Sequence, residues 1–300
     1  MPRSFEEITV FAPAKINLHL AVKNRRPDGF HDIESVFLAV DFGDTLRFSA
    51  GNEDCCIKGV SIPDNIILKA VSLFREKTGF YQGLNITVEK RIPLGGGLGG
   101  GSSDAASALL ALNKMAGFPL KRESLLEQAA VLGSDVPFFI HETSAARVTG
   151  RGENIEPITV PKMSLVLVNP GFQSDTKTAF HLLDLQREKG VRSEELGVRS
   201  EELGVRSDFL YSTLLTPHSS LLNFFSLFYN DFYDVFPERE KAVYSGILSQ
   251  LCEHGAVYAN LSGTGSTCFG VFTNEEQAKK TVHLLQSKWE FIEFCSSKPV

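Results

Sequence analysis

The chain has 300 residues, 43% of them hydrophobic and 22% charged, with 30 basic against 36 acidic side chains and a net charge of −6. These proportions exclude a disordered or collagen-like chain and supply a core for one large domain or two fused modules. An acidic balance without a basic cluster argues against nucleic acid as a partner, while leaving room for a local cationic pocket that holds a small anion.

Apolar runs such as Leu165 to Val168 fall far short of the roughly 18–20 residues of a membrane helix, so no membrane association is expected. Met1 to Thr9 carries Glu6 and Glu7 and does not read as a secretory signal. Cys55, Cys56, Cys252, Cys268 and Cys295 show no CxxC spacing and read as reduced thiols of a cytoplasmic protein.

In chain order, Ile8–Phe11, Ile16–Val22, Ile33–Val40 and Thr45–Ser49 are short β-branched or apolar runs, predicted as strands and separated by turn material such as Pro27-Asp28-Gly29 and Gly43-Asp44. Asn65 is a plausible N-cap for a helix ending near Gly79. Leu84–Val88 reads as a strand. A glycine-rich stretch then leads into an alanine- and leucine-rich helix over Ala105–Met115, and a second helix fits Glu123–Leu132. Val136 to Phe139 is an apolar, strand-like run.

Strands are expected near Ala145–Val148 and Met163–Val168, and a helix over Ser174–Gln186. Gly190 to Leu196 is then repeated verbatim at Gly197 to Leu203 and begins again at Gly204. With one leucine per copy and recurrent glycine, the repeat reads as a solvated insertion in preference to a coiled-coil heptad. The tail predicts a helix over Glu238–Cys252, strands over Ala256–Leu261 and Thr267–Phe272, a helix over Glu275–Gln286 and a last strand at Phe291–Phe294. The fold class is therefore α+β, in two lobes.

Gly95 to Gly101, broken only by Leu98, is costly in conformational entropy and adds no side chain to a core. Such a stretch suits close backbone approach. Placed before a helix, its N–H groups converge with the positive end of the helix dipole on a phosphate. Ser102 and Ser103 would add hydroxyls at the N-cap. A flexible linker or plain turn is the bland alternative, and it fits poorly between a strand and a strong helix. No Gly-Lys pair exists, which disfavours a Walker ATPase. Gly95-x-Gly97-x-x-Gly100 satisfies the dinucleotide pattern, but the next interval is helical where an acidic strand end is required.

Pro93 to Ser103 followed by Asp104-Ala105-Ala106 resembles the second motif of the GHMP kinases; Pro13-Ala14-Lys15-Ile16-Asn17-Leu18 is similar to their first, and Leu261 to Ser266 to their third. Pro27 to His31, Leu132 to Phe139 and the doubled triple glycine resemble the branch that phosphorylates a cytidine-linked methylerythritol on the methylerythritol phosphate route to isoprenoid precursors.

The resemblance implies an N-terminal ATP-binding lobe over 1–160 and a C-terminal lobe over 161–300, with an insertion at about 188–207 and the active site in the cleft between them. It implies transfer of the γ-phosphoryl group of ATP to the substrate's 2-hydroxyl. Lys15 and Asp135 would be catalytic, and Pro93, Leu94, Gly95, Gly96, Gly97, Leu98, Gly99, Gly100, Gly101, Ser102 and Ser103 would bind ATP. Asn65 would serve the adenine pocket, the helix cap, or both. Asn17, Phe30, His31, Thr176 and Phe180 would bind substrate, with His31 reading cytosine and Phe30 stacking on it in place of the family's tyrosine. Phe180 could instead be a core aromatic. Gly263, Thr264 and Gly265 would shape the phosphate pocket.

Magnesium is expected with ATP, and the sequence assigns it no protein ligands. Phosphoryl transfer needs in-line positioning and charge neutralisation, which a compact lysine cation supplies. An aspartate titrating near 4 is a weak base for an alcohol, so its proton should move late in the step. Another GHMP kinase, acting on homoserine or a mevalonate derivative, is the nearest rival; His31 speaks against it. A non-catalytic sensor on this fold should have lost Lys15 or Asp135.

Overall fold

In the structure, a computed structural model, residues 7–52, 55–59, 65–188, 225 and 228–299 are described. The repeat at 190–207 and the first residues of the chain lie outside them. The early β-branched runs form two long strands, β1 (Ile8–Arg25) and β2 (His31–Ala50), paired antiparallel from Ile8↔Phe48 to Arg25↔His31. Gly43-Asp44, expected as a turn, lies within β2. Asp44 is fully buried and accepts from the amides of Arg91 and Ile92 at 2.6 and 2.9 Å, so a distant segment uses the carboxylate that a turn would have turned to solvent.

The first sheet runs β3 (Cys55–Lys58), β4 (Leu84–Glu89), β2, β5 (Ala145–Gly150), β6 (Asn154–Pro157), with β1 also on β2. Helices cover one face. Helix α1 (Ile66–Thr78) starts where Asn65 accepts from Ile67 N–H and stops at Gly79, whose φ of 71° closes an αL cap on Arg75. Helix α2 (Gly100–Met115) begins earlier than the alanine run suggested. Its N-cap is Gly99 at φ 68°, so Ser102 and Ser103 sit in the first turn and not at the cap. Small side chains let α2 bury Ala105, Ala106, Ala108 and Ala111 against the sheet and α1.

After α3 (Arg122–Leu132), the strand-like run Val136–Ile140 is a short helix, α4, with every side chain buried. An apolar run buried on all sides carries no periodicity to tell helix from strand, and Pro137 presets the helical turn.

The second sheet is antiparallel, in the order β10 (Phe291–Ser296), β7 (Ser164–Asn169), β9 (Cys268–Phe272), β8 (Tyr258–Leu261). Helices α5 (Thr176–Glu188), α6 (Glu238–Glu253) and α7 (Glu275–Leu285) belong to this half. A shared core joins the halves: Ala14, Ile16 and Leu18 of β1 pack with Leu165, Leu167 and Phe269. Ile16 and Leu18 are fully buried, so truncating either to alanine should cost about 2–5 kcal/mol. The odd residues of β1, Lys15 and Asn17, take the opposite face.

Candidate active site

Register shifts interrupt the β1–β2 ladder between Pro13 and Lys15 and between Asn17 and His19. Such irregularities bend a strand and re-aim side chains. Here Lys15 N–H donates to the carbonyl of Leu98 at 3.0 Å, tying β1 to the glycine stretch. A cleft of about 830 Å³ opens at this junction, lined by Lys15, Asn17, His31, residues 93–102, Asp135, α5 and Gly263-Thr264.

The polarity of the glycine loop is the main geometric finding. Its carbonyls turn inward: Gly95 O accepts from Ser174 N–H, Gly96 O from Thr267 N–H, Gly97 O from Ser262 Oγ and Leu98 O from Lys15 N–H. Among the described residues, the N–H groups of Gly95 to Gly99 donate to no protein acceptor. Unpaired amides beside the N-terminus of a 16-residue helix have the geometry and polarity to hold an anion. Glycine is required by space as well: a Cβ on Gly97, at φ 74°, would meet Ser262 O at 2.1 Å, and one on Gly99 would meet Lys15 Cγ at 3.0 Å.

The Lys15 side chain is 5% exposed; its Nζ lies 3.2 Å from Asp135 Oδ2 and donates to Asn17 Oδ1 at 2.7 Å. Asn17 donates in turn to Ser35 Oγ at 2.9 Å, which orients its amide. Asp135 occupies the N-cap position of α4 but makes no cap bond, leaving its half-buried carboxylate to Lys15.

A second lysine, Lys90, also lines the cleft, bonded to Asp44 at 2.5 Å and to Asp104 at 2.8 Å. Burial and the neighbouring Asp44 push the Asp104 carboxyl up to about 7, against the pull of Lys90. Lys90 itself is held above its ordinary value: burial acts against this and the two carboxylates outweigh it.

At the far end of the cleft His31 Nε2 is 2.8 Å from Asp184 Oδ1, and its ring stacks on Phe180 with centroids 5.0 Å apart at 20°. Phe30 is 52% exposed, with the Arg151 guanidinium 4.9 Å over its ring. Thr176 Oγ1 is 3.2 Å from Thr264 Oγ1, which joins α5 to the third motif.

The residues expected at the site thus converge, with three exceptions in position. Asn65 caps α1 and is not in the cleft wall, whereas Ile66 is. Ser103 is fully buried in α2 and Gly265 lies behind Thr264; neither lines the cleft. Lys90, Arg151 and Asp184 line it and were not singled out from the sequence. Asp184 had a signal, since Thr176, Phe180 and Asp184 follow at i, i+4, i+8 on one helix face. Lys90 and Arg151 are lone charges without a motif.

Among the described residues no group of three His, Cys, Asp or Glu could hold a metal ion, and no helix is long and apolar enough to cross a membrane.

Comparison with known proteins accords with this geometry. The profile of the GHMP kinases N terminal domain matches residues 65–143, and that of GHMP kinases C terminal matches 237–290. The 4-diphosphocytidyl-2-C-methyl-D-erythritol kinase of Ralstonia pickettii is 35% identical over 93% of this chain and 90% of its own, and that of Thermodesulfovibrio yellowstonii 36% over 94% and 95%. A crystal structure of 4-(cytidine 5'-diphospho)-2C-methyl-D-erythritol kinase superimposes with a TM-score of 0.77 at 27% identity, covering 96% of this chain and 98% of that one. The L. major mevalonate kinase, at 16% identity and a TM-score of 0.72 over 100% and 99% of the two chains, shares the fold. With two lobes meeting at a glycine loop whose amides are free, and relatives aligned almost end to end, the chain belongs to the 4-diphosphocytidyl-2-C-methyl-D-erythritol kinase family of the GHMP kinases.

Proposed function

We propose that the protein transfers the γ-phosphoryl group of ATP to the 2-hydroxyl of 4-diphosphocytidyl-2-C-methyl-D-erythritol, releasing ADP and the 2-phosphate. The observation that carries this reading is the glycine loop, whose carbonyls are spent on the protein while its amides remain free beside Lys15 and Asp135. The loop and the α2 N-terminus hold the triphosphate. Gly263 and Thr264 close the pocket from the C-terminal half, and Ile66, next to the Asn65 cap, stands toward the adenine.

Lys15 offsets charge on the transferring group, and Asn17 holds its ammonium in place. Asp135 receives the hydroxyl proton as the new P–O bond forms. Transfer from ATP to an alcohol needs no covalent enzyme intermediate, so positioning and charge suffice. A magnesium ion fits as part of the incoming nucleotide, held by phosphate oxygens and water, since the described residues offer no ligand cluster; it would supply charge neutralisation on the phosphates.

At the acceptor end Phe30 offers an open aromatic face to the base, His31 reads its edge, and Phe180 backs the imidazole. The two halves act as lobes divided near residue 160, and the free thiols suit a reducing cytoplasm. The test is ADP release from purified protein, ATP, magnesium and the cytidine-linked diol. Turnover there, and none with homoserine or mevalonate, is the expected result; the reverse overturns the reading.

A further inference from the structure

Asp184 has no part in the chemistry above, yet it is the hydrogen-bond partner of the residue assigned to read the base. Its carboxylate oxygen lies 2.8 Å from His31 Nε2, across 153 residues of sequence and from the other half of the molecule. A carboxylate only accepts, so Nε2 carries the proton. In a neutral imidazole the other nitrogen, Nδ1, is then a bare acceptor. Phe180, stacked on the ring at 20°, fixes the plane in which that acceptor points. Arg25 Nη1, 3.8 Å from Asp184 Oδ2, is a cationic neighbour of the carboxylate.

We infer that Asp184 is a positioning residue that sets the tautomer of His31 and thereby makes the site select cytosine over uracil. The inference rests on the reading of His31 given under Proposed function. Cytosine offers an exocyclic amine, a donor that a bare Nδ1 accepts. Uracil offers a carbonyl oxygen at the same position, which would face Nδ1 lone pair to lone pair. Two acceptors left unpaired in a cleft wall carry a penalty that corresponds to about ten- to a hundredfold in selectivity. Were the tautomer reversed, the preference would reverse with it. Asp184 stands on α5 four residues beyond Phe180, so one helix face supplies both the plane and the proton position.

The test has two arms. In the first, 15N-histidine spectra of the full-length protein report the tautomer, the His31 signals being those lost in His31→Gln among the seven histidines. A proton on Nε2 with Nδ1 bare is expected, and Asp184→Ala should mix or reverse the two. An Nδ1–H tautomer or an imidazolium in the unaltered protein at neutral pH overturns the inference, as does an unchanged tautomer in Asp184→Ala. In the second arm, kcat/KM is compared for the cytidine-linked diol and its uridine-linked analogue. Asp184→Ala should cut the cytidine preference about tenfold, chiefly through KM. Equal losses on both substrates would make Asp184 merely structural and sink the inference. If the unaltered protein phosphorylates neither substrate, the functional reading fails, while the spectra still judge the tautomer.

Discussion

Lys15 and Lys90 line the same cleft, and their surroundings differ in kind. Lys15 faces one half-buried carboxylate, Asp135, and one amide, Asn17. Lys90 is gripped by two carboxylates, Asp44 and Asp104, both almost fully buried, and Asp44 is further bound by two backbone amides. A buried charge must be satisfied by its own fold, and the Lys90 cluster spends its bonds doing so, pinning the start of the glycine loop to β2 and α2. The Lys15 pair keeps capacity to spare, with a carboxylate whose bonds are not all taken within the protein. That difference separates a group that holds the cleft together from one that can meet a substrate.

The comparison can be broken most severely at Asp135. Asp135→Asn should lower kcat about 100- to 10,000-fold while ATP still binds. Stability should fall by about 1 kcal/mol at most, because Asn17 still accepts from Lys15. Steady-state kinetics with nucleotide titration checks this, and near-normal turnover would remove Asp135 from the mechanism.

Asp44→Ala should do the opposite. It leaves Lys90 with Asp104 alone and strips two amides of their acceptor, so denaturant melts should show a loss of about 3–5 kcal/mol. A fall in turnover without loss of stability would mean the two clusters had been confused.

Gly97→Ala tests the loop between them. The added Cβ meets Ser262 O at 2.1 Å at a φ of 74°, so destabilisation of at least about 1–2 kcal/mol with weakened ATP binding is expected by calorimetry.

The smallest effect sharpens the contrast through pH. Asp104 titrates at about 7 when folded against an ordinary 3.8, so between those values the folded protein holds a proton that the unfolded chain has released. Its stabilising contribution is complete below the unfolded value and is lost as pH rises through about 7. Asp104→Asn mimics the protonated form and should raise the melting temperature relative to the unaltered protein at pH 8, with the gain shrinking at pH 5.5. A loss at pH 8 would show that the ionised Asp104–Lys90 pair is the stable arrangement.

Several features were legible because their cause is local. Asn65 and Gly79 bracket α1 through bonds to residues two and four positions away. The glycine loop announced itself because dense glycine has few uses other than close backbone approach. Where the cause was distant, reading along the chain went astray. Gly43-Asp44 looks like a turn until Arg91 and Ile92 supply donors from across the sheet. Val136–Ile140 looks like a strand because complete burial erases periodicity. Ser102 and Ser103 look like caps, but Gly99 takes that place at a φ of 68°, with Lys15 of β1 and Phe139 packed where a Cβ would stand.

The sequence by itself determined which chemistry was on hand: an amide-rich anion loop, a lysine on an apolar strand, an aspartate ahead of a proline, and a histidine beside an aromatic. Local spacing and side-chain identity carry that much. Only the tertiary structure decided that Lys15 meets Asp135 at 3.2 Å, that the loop's carbonyls face inward and its amides do not, and that Asp184 reaches His31. Those outcomes depend on which distant donors and acceptors the packing of the two sheets brings within about 3 Å, and no short-range pattern encodes that.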